Sequence, residues 1–346
     1  MPLQTAALCI PRRAPPTMSG VSGTGACEGL AAIVLAAGEG KRMRSARAKV
    51  LHEAGGRPLV DHVLAAVEPL RPSPVVVVVG HLRGQVEAHL AGRGVVFAAQ
   101  EPPRGTGDAV ARALEFLPAA GTAVVVSGDV PLITTASLQA LVELRRSRRA
   151  AAALTTAVLA DGGAYGRVVR GSGGEVVAIV EARDATPEQL AIREVNAGTY
   201  AFDVAALHEA MPALRADNAQ REYYLTDVVA LLAARGKPVV GMVLAEADEM
   251  AGVNSRDELA LVGRLLNARV VRGLQSAGVT VLDPATTWVD PDCVVGADTV
   301  LEAGVHLRSG CVLGRRCRIG AQSVLDGVAL ADDTVVPPLT RLARAT

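Results

Sequence analysis

A glycine-rich segment with closely spaced cations follows the first strongly apolar run of the chain. It reads Ala36-Ala-Gly38-Glu-Gly40-Lys41-Arg42-Met43, and Lys49 comes shortly afterwards. Glycines placed after a strand let backbone N–H groups approach phosphate oxygens closely. The chain has only three lysines among its 35 basic residues, and two of them, Lys41 and Lys49, lie here. A compact ammonium on a flexible stem suits phosphate binding, so this segment predicts a phosphate-binding loop.

Two common phosphate loops do not fit the segment. A dinucleotide-binding fingerprint needs a third glycine where Met43 stands. A P-loop needs Ser or Thr after its lysine, but Arg42 follows Lys41, and Leu35 replaces the leading glycine. The density of positive charge instead suits a nucleoside triphosphate that is attacked at its α-phosphorus, because negative charge then grows on the leaving pyrophosphate.

The segment belongs to a region in which apolar runs alternate with helical patterns. The apolar runs are 30–37, 75–79, 95–99 and 123–126, and helical periodicity covers 59–70, 106–116 and 135–149. Continuous apolar strands between helices are typical of a parallel sheet that is covered on both faces. We therefore predict a Rossmann-like, mostly parallel α/β domain over 30–254. Residues 1–29 are rich in Pro, Gly and Ser and predict a disordered tail.

The pattern changes near residue 254. Ser255-Arg-Asp-Glu258 is a capping box, and five aliphatic residues then recur at helical spacing, so we predict a linking helix and connector over 255–282. A second set of aliphatic residues recurs every six positions: Val289, Val295, Leu301, Leu307, Leu313, Ile319 and Leu325. Hexapeptide periodicity is typical of a parallel β-helix, which we expect over 283–346 with two to three coils and a C-terminal tail.

Cysteines are expected in the core of this β-helix. Cys293, Cys311 and Cys317 stand at the same small, inward position of the repeat. Free cysteine behaves as a small buried hydrophobe, so a packing role is the favoured interpretation.

Composition excludes several classes of function. Half of the residues are hydrophobic, 2% are aromatic, and 35 basic residues balance 35 acidic ones. Few aromatic residues argue against stacking on single-stranded nucleic acid, and zero net charge argues against a general polyanion binder. The five cysteines lack metal-ligand spacing, and no apolar run reaches the ~18–20 residues of a membrane span. We expect a cytoplasmic protein with no nucleic-acid or membrane partner.

A series of ordered motifs gives the chain a family resemblance. The segment from Leu35 to Ser45, followed by Lys49-Val-Leu, resembles the signature of bacterial N-acetylglucosamine-1-phosphate uridylyltransferases, a branch of the sugar-nucleotide pyrophosphorylases. The match continues in order with Gln100, Gly105-Thr-Gly, Ser127-Gly-Asp129-Val-Pro-Leu, Tyr165-Gly-Arg167, Ile179-Val-Glu181, Asn196-Ala-Gly-Thr, 218–227 and Gly252-Val-Asn254. The resemblance implies a GT-A-like nucleotidyltransferase domain followed by a left-handed β-helix.

The resemblance also implies a role for each matching residue. Residues implied to bind the nucleotide and read the uracil edge are Leu35, Ala36, Ala37, Gly38, Gly40, Lys41, Gln100, Gly105 and Thr106. Residues implied to bind the amino-sugar phosphate are Gly128, Gly166, Glu181, Asn196, Tyr224 and Thr226. Arg42 and Lys49 are the implied catalytic residues, which bind phosphates and stabilise the transition state. Asp129 and Asn254 are implied to hold Mg²⁺, which prefers a few hard oxygen ligands completed by phosphates and water.

The implied reaction joins UTP to N-acetylglucosamine-1-phosphate, releases pyrophosphate and supplies a precursor of peptidoglycan and the cell envelope. The attacking phosphate oxygen is already ionised, so in-line attack needs neither a general base nor a covalent intermediate. The β-helices of this family assemble as trimers, which implies a homotrimer here.

Several positions depart from the family pattern. Lys41 stands where the loop usually has Thr, Ser127 replaces an aromatic residue, and Pro103 replaces a second glutamine near the base. Familiar bifunctional members carry a longer β-helix with an acetyl-transferring site. The repeat region of this chain contains one histidine, His306, and no lysine, so we expect no acetyl transfer.

Single residues also have simpler interpretations. Asp129 lies in a Gly-Asp-Val-Pro segment that is compatible with an Asx turn. Glu181 could be a surface partner of Arg183, and Asn196 and Asn254 could be caps. For these residues the functional interpretation depends on the ordered series of motifs.

Two other functions remain open. One is nucleotidyl transfer to another sugar-1-phosphate or from another NTP. Pro103 and Lys41 support this alternative, because both depart from the family pattern. The other is a non-catalytic sugar-nucleotide sensor, although the presence of Arg42, Lys49 and Asp129 favours an enzyme.

Overall fold

The structure is a computed structural model that describes residues 29–344. The predicted tail at 1–29 lies outside the described residues except for Gly29. The strands of the first body are β1 (Leu30–Ala36), β2 (Glu53–Ala54), β3 (Arg57–Pro58), β4 (Val75–Val79), β5 (Val96–Ala99), β6 (Thr122–Ser127), β7 (Ala152–Val158), β8 (Arg167–Arg170), β9 (Val176–Val180), β10 (Glu194–Asp203) and β11 (Val239–Val243). Its helices are α1 (Leu59–Val67), α2 (Arg83–His89), α3 (Thr106–Leu114), α4 (Thr135–Ser147), α5 (Pro187–Leu190), α6 (Val204–Ala210) and α7 (Asp227–Ala234).

One sheet organises this body. The strand order is β11-β7-β10-β6-β1-β4-β5, with β8 beside β10 and β9 beside β8. The four predicted apolar runs form β1, β4, β5 and β6, which are parallel neighbours. Only β10 runs antiparallel to the strands on both its sides within the main path. The prediction of a mostly parallel α/β sheet is confirmed.

Both faces of the sheet are buried. Ile33 and Val125 pack on one face against helices α3, α6 and α7. Val34 and Val124 pack on the other face against α1, α2 and α4. Successive strand residues point to opposite faces, so every position in a doubly covered strand must be apolar. That requirement explains why the strands appear in the sequence as unbroken apolar runs.

The strand order places a crevice at the carboxyl end of β1. This strand lies between β4, which follows it in the chain, and β6, which comes later. Connections therefore leave β1 and β6 in opposite directions, and such a switch point is where open α/β sheets bind ligands. The glycine segment follows β1, and Asp129 follows β6.

A long helix, α8 (Arg256–Ser276), connects the first body to the second. It begins with the predicted capping box, because Ser255 accepts a hydrogen bond from the Glu258 N–H and Glu258 accepts one from the Ser255 N–H. Val262 and Leu266 of the helix pack against Met43 and Leu59 of the α/β domain.

The second body is a left-handed parallel β-helix. Its strands are β12 (Thr280–Val281), β13 (Trp288–Val289), β14 (Val294–Val295), β15 (Val300–Leu301), β16 (His306–Arg308), β17 (Val312–Leu313), β18 (Arg318–Ile319), β19 (Val324–Asp326), β20 (Ala329–Leu330), β21 (Val335–Val336) and β22 (Arg341–Ala343). They stack in three parallel columns, β12-β15-β18-β21, β13-β16-β19-β22 and β14-β17-β20. The seven predicted hexapeptide residues are all buried, as are the three cysteines.

The stack is longer than the predicted two to three coils. It begins at Thr280, inside the range assigned to the connector, and continues through β21 and β22. Leu313 pairs with Leu330, whereas Val295 pairs with Leu313. The third coil is therefore one residue shorter than the second, and the buried residues no longer recur at six-residue intervals after Leu325.

No helix in residues 29–344 is long and apolar enough to cross a membrane.

Candidate active site

The glycine segment after β1 wraps around the stem of Lys49. Gly40 has a φ of 61°, and a Cβ there would lie 2.9 Å from Lys49 Cβ. A short 3₁₀ helix, Lys41–Met43, follows, and Met43 is buried against α8. Only glycine allows both the left-handed turn and this close approach. The loop thus fixes the path of the lysine side chain.

The ammonium of Lys49 lies between two side-chain oxygens from distant parts of the chain. It forms a short ion pair with Asp129 Oδ2 and donates to Asn254 Oδ1 at 3.1 Å. The side chains of Lys49 and Asp129 are only 12% and 16% exposed. A carboxylate and an amide oxygen therefore converge on a cation. This donor set fits a hard divalent ion with few protein ligands.

A cavity of about 410 Å³ opens on one side of this cluster. It is lined by Leu35, Ala37, Gly38, Glu39, Lys41, Lys49, Gln100, Pro103, Gly105, Thr106, Ala109, Ser127, Asp129 and Glu222. Seven of the residues implied to bind the nucleotide lie there: Leu35, Ala37, Gly38, Lys41, Gln100, Gly105 and Thr106. We call this space the nucleotide cavity.

The far end of the nucleotide cavity is held by the segment before α7. Gly105 has a φ of 102°, and a Cβ there would lie 2.6 Å from the Tyr223 carbonyl oxygen. Thr106 Oγ1 accepts a hydrogen bond from the Leu225 N–H at 3.0 Å. The turn that begins α3 is therefore packed tightly against residues 222–225, which gives the cavity a fixed wall.

A second cavity, of about 440 Å³, opens on the other side of Asp129. It is lined by Arg42, Ser127, Asp129, Val130, Ala164, Tyr165, Gly166, Glu181, Asn196, Ala197, Gly198, Met250, Gly252, Asn254 and Glu258. It collects three residues implied to bind the sugar phosphate, Gly166, Glu181 and Asn196, together with Arg42 and Asn254. We call this space the sugar cavity.

Glu181 is a partly buried carboxylate at this second cavity. Burial, with nearby Asp227 and Asp184, raises its pKa, although Thr226 Oγ1 donates to Glu181 Oε1 at 3.0 Å and lowers it. Asn196 donates from Nδ2 to Tyr200 Oη at 2.7 Å. The wall thus presents oriented polar groups that suit the hydroxyl and amide groups of a sugar.

Five residues implied by the resemblance do not line either cavity. They are Ala36, Gly40, Gly128, Tyr224 and Thr226. Ala36 faces the sheet core, and a Cβ at Gly128 would lie 3.1 Å from the Leu35 carbonyl oxygen. Thr226 donates a hydrogen bond to Glu181, and Tyr224 donates to Gln220 Oε1 at 3.0 Å. Burial, with neighbouring carboxylates, raises the pKa of Tyr224 to about 12.

The simpler interpretations of single residues find little support in the geometry. Asp129 pairs with Lys49, and the partner of Glu181 is Thr226. Ser255 caps α8, so the Asn254 side chain is not the helix cap. Asn196 lies within β10, although its Oδ1 does accept the Gly198 N–H at 3.1 Å.

Other cavity residues were not assigned a role from the sequence. Ser127 lines both cavities, Glu222 lines the first, and Tyr165 and Glu258 line the second. Three of them stand within the matched motifs, namely Ser127, Tyr165 and Glu222. Their place in those motifs could have identified them as site residues. Glu258 appeared only as part of a capping box. It fulfils that role and also accepts the Asn254 N–H at 2.6 Å, which holds Asn254 beside the lysine.

Among residues 29–344, no group of three or more His, Cys, Asp or Glu side chains could hold a metal ion. An ion beside Asp129 and Asn254 would therefore need further ligands from a bound phosphate or from water. The two cavities meet at Ser127 and Asp129, so a group bound in one can reach a group bound in the other.

Comparison with known proteins agrees with this arrangement. Residues 32–225 match the family model described as a MobA-like NTP transferase domain, and residues 292–327 match bacterial transferase hexapeptide repeats. The chain is 44% identical to the bifunctional protein GlmU of Mycobacterium ulcerans over 314 residues, which are 88% of this chain and 64% of that protein.

Two further GlmU proteins show the same degree of similarity. Identity is 44% with the protein of Mycolicibacterium vanbaalenii, over 91% of this chain and 69% of the relative. It is 47% with the protein of Thermobifida fusca, over 88% of this chain and 65% of the relative. The chain thus spans about two thirds of the length of these relatives. It belongs to the family that joins a MobA-like NTP transferase domain to hexapeptide repeats, the family of the bifunctional GlmU proteins.

Proposed function

We propose that this chain transfers a uridylyl group from UTP to N-acetylglucosamine-1-phosphate, giving UDP-N-acetylglucosamine and pyrophosphate. The observation that carries the proposal is the meeting of two cavities at Asp129. One cavity contains a cationic glycine loop and a buried glutamine, and the other contains Glu181 and Asn196. A nucleotide in the first would present its α-phosphorus towards a sugar phosphate in the second.

The reaction requires positioning and charge stabilisation rather than proton transfer. An oxygen of the sugar phosphate attacks the α-phosphorus of UTP and forms the new P–O bond. The bond from that phosphorus to the bridging oxygen breaks, and pyrophosphate leaves with the electron pair. Lys41 and Lys49 line the nucleotide cavity and Arg42 lines the sugar cavity, so cations border the reacting phosphates from both sides.

We propose that Asp129 and Asn254 hold Mg²⁺ when substrates bind. The proposal is supported by the convergence of their oxygens on the Lys49 ammonium. A bound Mg²⁺ supplies charge neutralisation of the phosphate oxygens. The chain contributes the two oxygen ligands and the fixed position of Asn254 beside Glu258. It also contributes Lys49, whose ammonium would exchange these two oxygens for those of a phosphate.

We further propose that the β-helices associate as a homotrimer. The outward residues of the column β14-β17-β20 are Val294, Val312 and Ala329, and all three are exposed. An apolar column on a small, regular surface favours association with copies of itself.

Pyrophosphate release tests the proposed activity. The purified protein is assayed with Mg²⁺, each of the NTPs, and either N-acetylglucosamine-1-phosphate or glucose-1-phosphate. We expect release with UTP and the N-acetyl sugar, and loss of at least about a hundredfold in Asp129→Ala, as is typical when an electrostatic group of an active site is removed. Glu115→Ala is the control, because Glu115 is an exposed carboxylate that lines neither cavity.

Other outcomes would change the assignment. Turnover with a different nucleotide or sugar phosphate would keep the chemistry and replace the substrate. Binding of UTP without turnover of any pair would contradict the proposal and favour a sugar-nucleotide sensor.

A further inference from the structure

Gln100, at the end of β5, has an amide whose orientation is set by its surroundings. The residue is 3% exposed. Its amide nitrogen donates to the Gly105 carbonyl oxygen at 2.9 Å and to Asp108 Oδ2 at 2.8 Å. Both partners accept hydrogen bonds and cannot donate them. A flipped amide would place its oxygen against two other oxygens, so only one orientation is compatible with these neighbours.

The orientation determines what Gln100 offers to a ligand. Both hydrogens of the amide nitrogen are already used, and no donor within residues 29–344 is hydrogen-bonded to the amide oxygen. Gln100 lines the nucleotide cavity. The group available there is therefore an acceptor, Oε1.

We propose that Asp108 is a positioning residue that sets base selection by holding Gln100 as an acceptor. Uracil carries a hydrogen on N3, which Oε1 can accept. Cytosine in the same position carries a lone pair on N3, which would face the lone pairs of Oε1. The inference rests on the proposed function for the presence of a nucleotide in this cavity.

The contact of Asp108 with Gln100 is not explained by helix stability alone. Asp108 lies in the first turn of α3, where an acidic side chain interacts favourably with the helix dipole. That interaction requires no contact with a strand end. The Asp108 side chain is nevertheless only 11% exposed and reaches Gln100, while its other partner, Arg112, lies 3.5 Å away and is 46% exposed.

The second acceptor is also held in place. The Gly105 carbonyl belongs to the turn that is packed against Tyr223, where no side chain fits at Gly105. Gly105 therefore fixes one hydrogen of the amide, and Asp108 fixes the other. Replacing the Asp108 carboxylate by a group that can also donate weakens the preference for one orientation without removing the glutamine.

Direct binding measurements test this proposal independently of turnover. Calorimetry compares UTP, CTP and dTTP on the wild-type protein, Asp108→Asn, Asp108→Ser and Arg112→Ala, with Mg²⁺ and no sugar phosphate. We expect the wild type to bind UTP more tightly than CTP. In both Asp108 variants the ratio of the CTP to the UTP dissociation constant should fall by about tenfold, the size expected when one oriented hydrogen bond is lost. Arg112→Ala should keep the wild-type ratio.

Thymine provides an internal control, because it has the same N3–H as uracil. The ratio of dTTP to UTP dissociation constants should therefore be the same in the wild type and in both Asp108 variants, whereas general damage to the cavity would move it. Melting temperatures identify a variant that does not fold. If one of the two Asp108 variants does not fold, the other still tests the proposal.

Two results of these binding measurements would contradict the proposal. A wild-type protein without preference for UTP over CTP, or Asp108 variants with an unchanged ratio, would overturn the role of Asp108. Pyrophosphate release is measured separately. Failure there with normal UTP selectivity would contradict the proposed transfer and leave the base-selection inference supported.

Discussion

At the scale of single residues, the carboxyl group of Glu181 destabilises the fold when it is ionised, and we propose that it binds the sugar phosphate. Burial raises its pKa above the ordinary value of 4.5. The folded state therefore holds the proton more tightly than the unfolded state. At a pH above the folded-state pKa, the ionised carboxylate destabilises the fold. Below about pH 4.5 both states are protonated, and the penalty disappears.

Glu181→Gln should therefore stabilise the protein at neutral pH and weaken sugar binding. We expect the free energy of unfolding to rise by about 1 kcal/mol at pH 8, the usual size of a single-residue effect, with no gain near pH 4. Urea unfolding at both pH values measures it, with the exposed Glu115→Gln as control. The KM for the sugar phosphate should rise by about tenfold, which corresponds to one lost hydrogen bond to a charged group. An equal stability change at both pH values would contradict the titration argument.

At the scale of elements, the loop after β1 is a device for placing Lys49. Gly40→Ala should therefore impair activity by moving the lysine, besides straining the backbone. Gly92 is the matched control, because its φ of 77° is also positive but a Cβ there would meet nothing within 4 Å. We expect Gly92→Ala to lose about 1 kcal/mol of stability from its left-handed backbone, and Gly40→Ala to lose more because its Cβ must also displace Lys49. Only Gly40→Ala should lose activity, by about tenfold or more, as small misplacements at a reacting centre do.

Pyrophosphate release and chemical denaturation of the two glycine variants measure these effects. If Gly92→Ala lost as much activity as Gly40→Ala, backbone strain rather than displacement of Lys49 would be the cause.

Asn267, a buried residue of α8, is hydrogen-bonded to the β-helix and adds to the apolar packing of Val271 against it. Asn267 donates from Nδ2 to the Thr287 carbonyl at 2.8 Å and accepts the Val289 N–H at Oδ1 at 2.9 Å. Asn267→Ala would leave a buried N–H and a buried C=O without partners. We expect a loss of about 2–3 kcal/mol.

Trp288, the only tryptophan of the chain, stands between Thr287 and Val289, the two residues that Asn267 contacts. Its fluorescence is therefore sensitive to unfolding of this region. Its fluorescence should show a lower urea midpoint in Asn267→Ala. The exposed Leu261→Ala on the same helix should leave the midpoint nearly unchanged. Equal midpoints for Asn267→Ala and the wild type would show that α8 is held by apolar packing alone.

At the scale of the whole molecule, the β-helix presents the exposed column of Val294, Val312 and Ala329. Val312→Glu should break the proposed trimer, because it places a charge within an apolar contact. Light scattering should give three times the 35.5 kDa chain mass for the wild type and one chain mass for the variant. Thr280→Glu adds the same charge to another column and should remain assembled. A wild-type protein of one chain mass would contradict the trimer.

Much of the architecture could be predicted because it depends on local pattern. Buried parallel strands such as β4 need apolar residues at every position, and the coil residues of the β-helix repeat every six positions. The antiparallel direction of β10 could not be predicted, since an apolar strand pattern does not fix the direction of pairing. The coil shortened after Leu325 was also missed, since a single deletion shifts the phase of the repeat.

The cavities were predictable only where a motif marked a residue. Gln100 and Glu181 stand in such motifs and line the two cavities. The ion pair of Lys49 with Asp129 joins residues 80 positions apart, and the contact of Asp108 with Gln100 depends on an amide orientation. Such contacts arise from tertiary structure, which spacing along the chain does not encode.

The central claim is that uridylyl transfer occurs directly between two substrates held on either side of Asp129. Exchange of labelled pyrophosphate into UTP tests it most directly, with and without N-acetylglucosamine-1-phosphate. We predict exchange only when the sugar phosphate is present, and none in Asp129→Ala. Exchange without the sugar phosphate would contradict direct transfer, because it would require a uridylylated enzyme. The absence of exchange under both conditions would contradict uridylyl transfer itself.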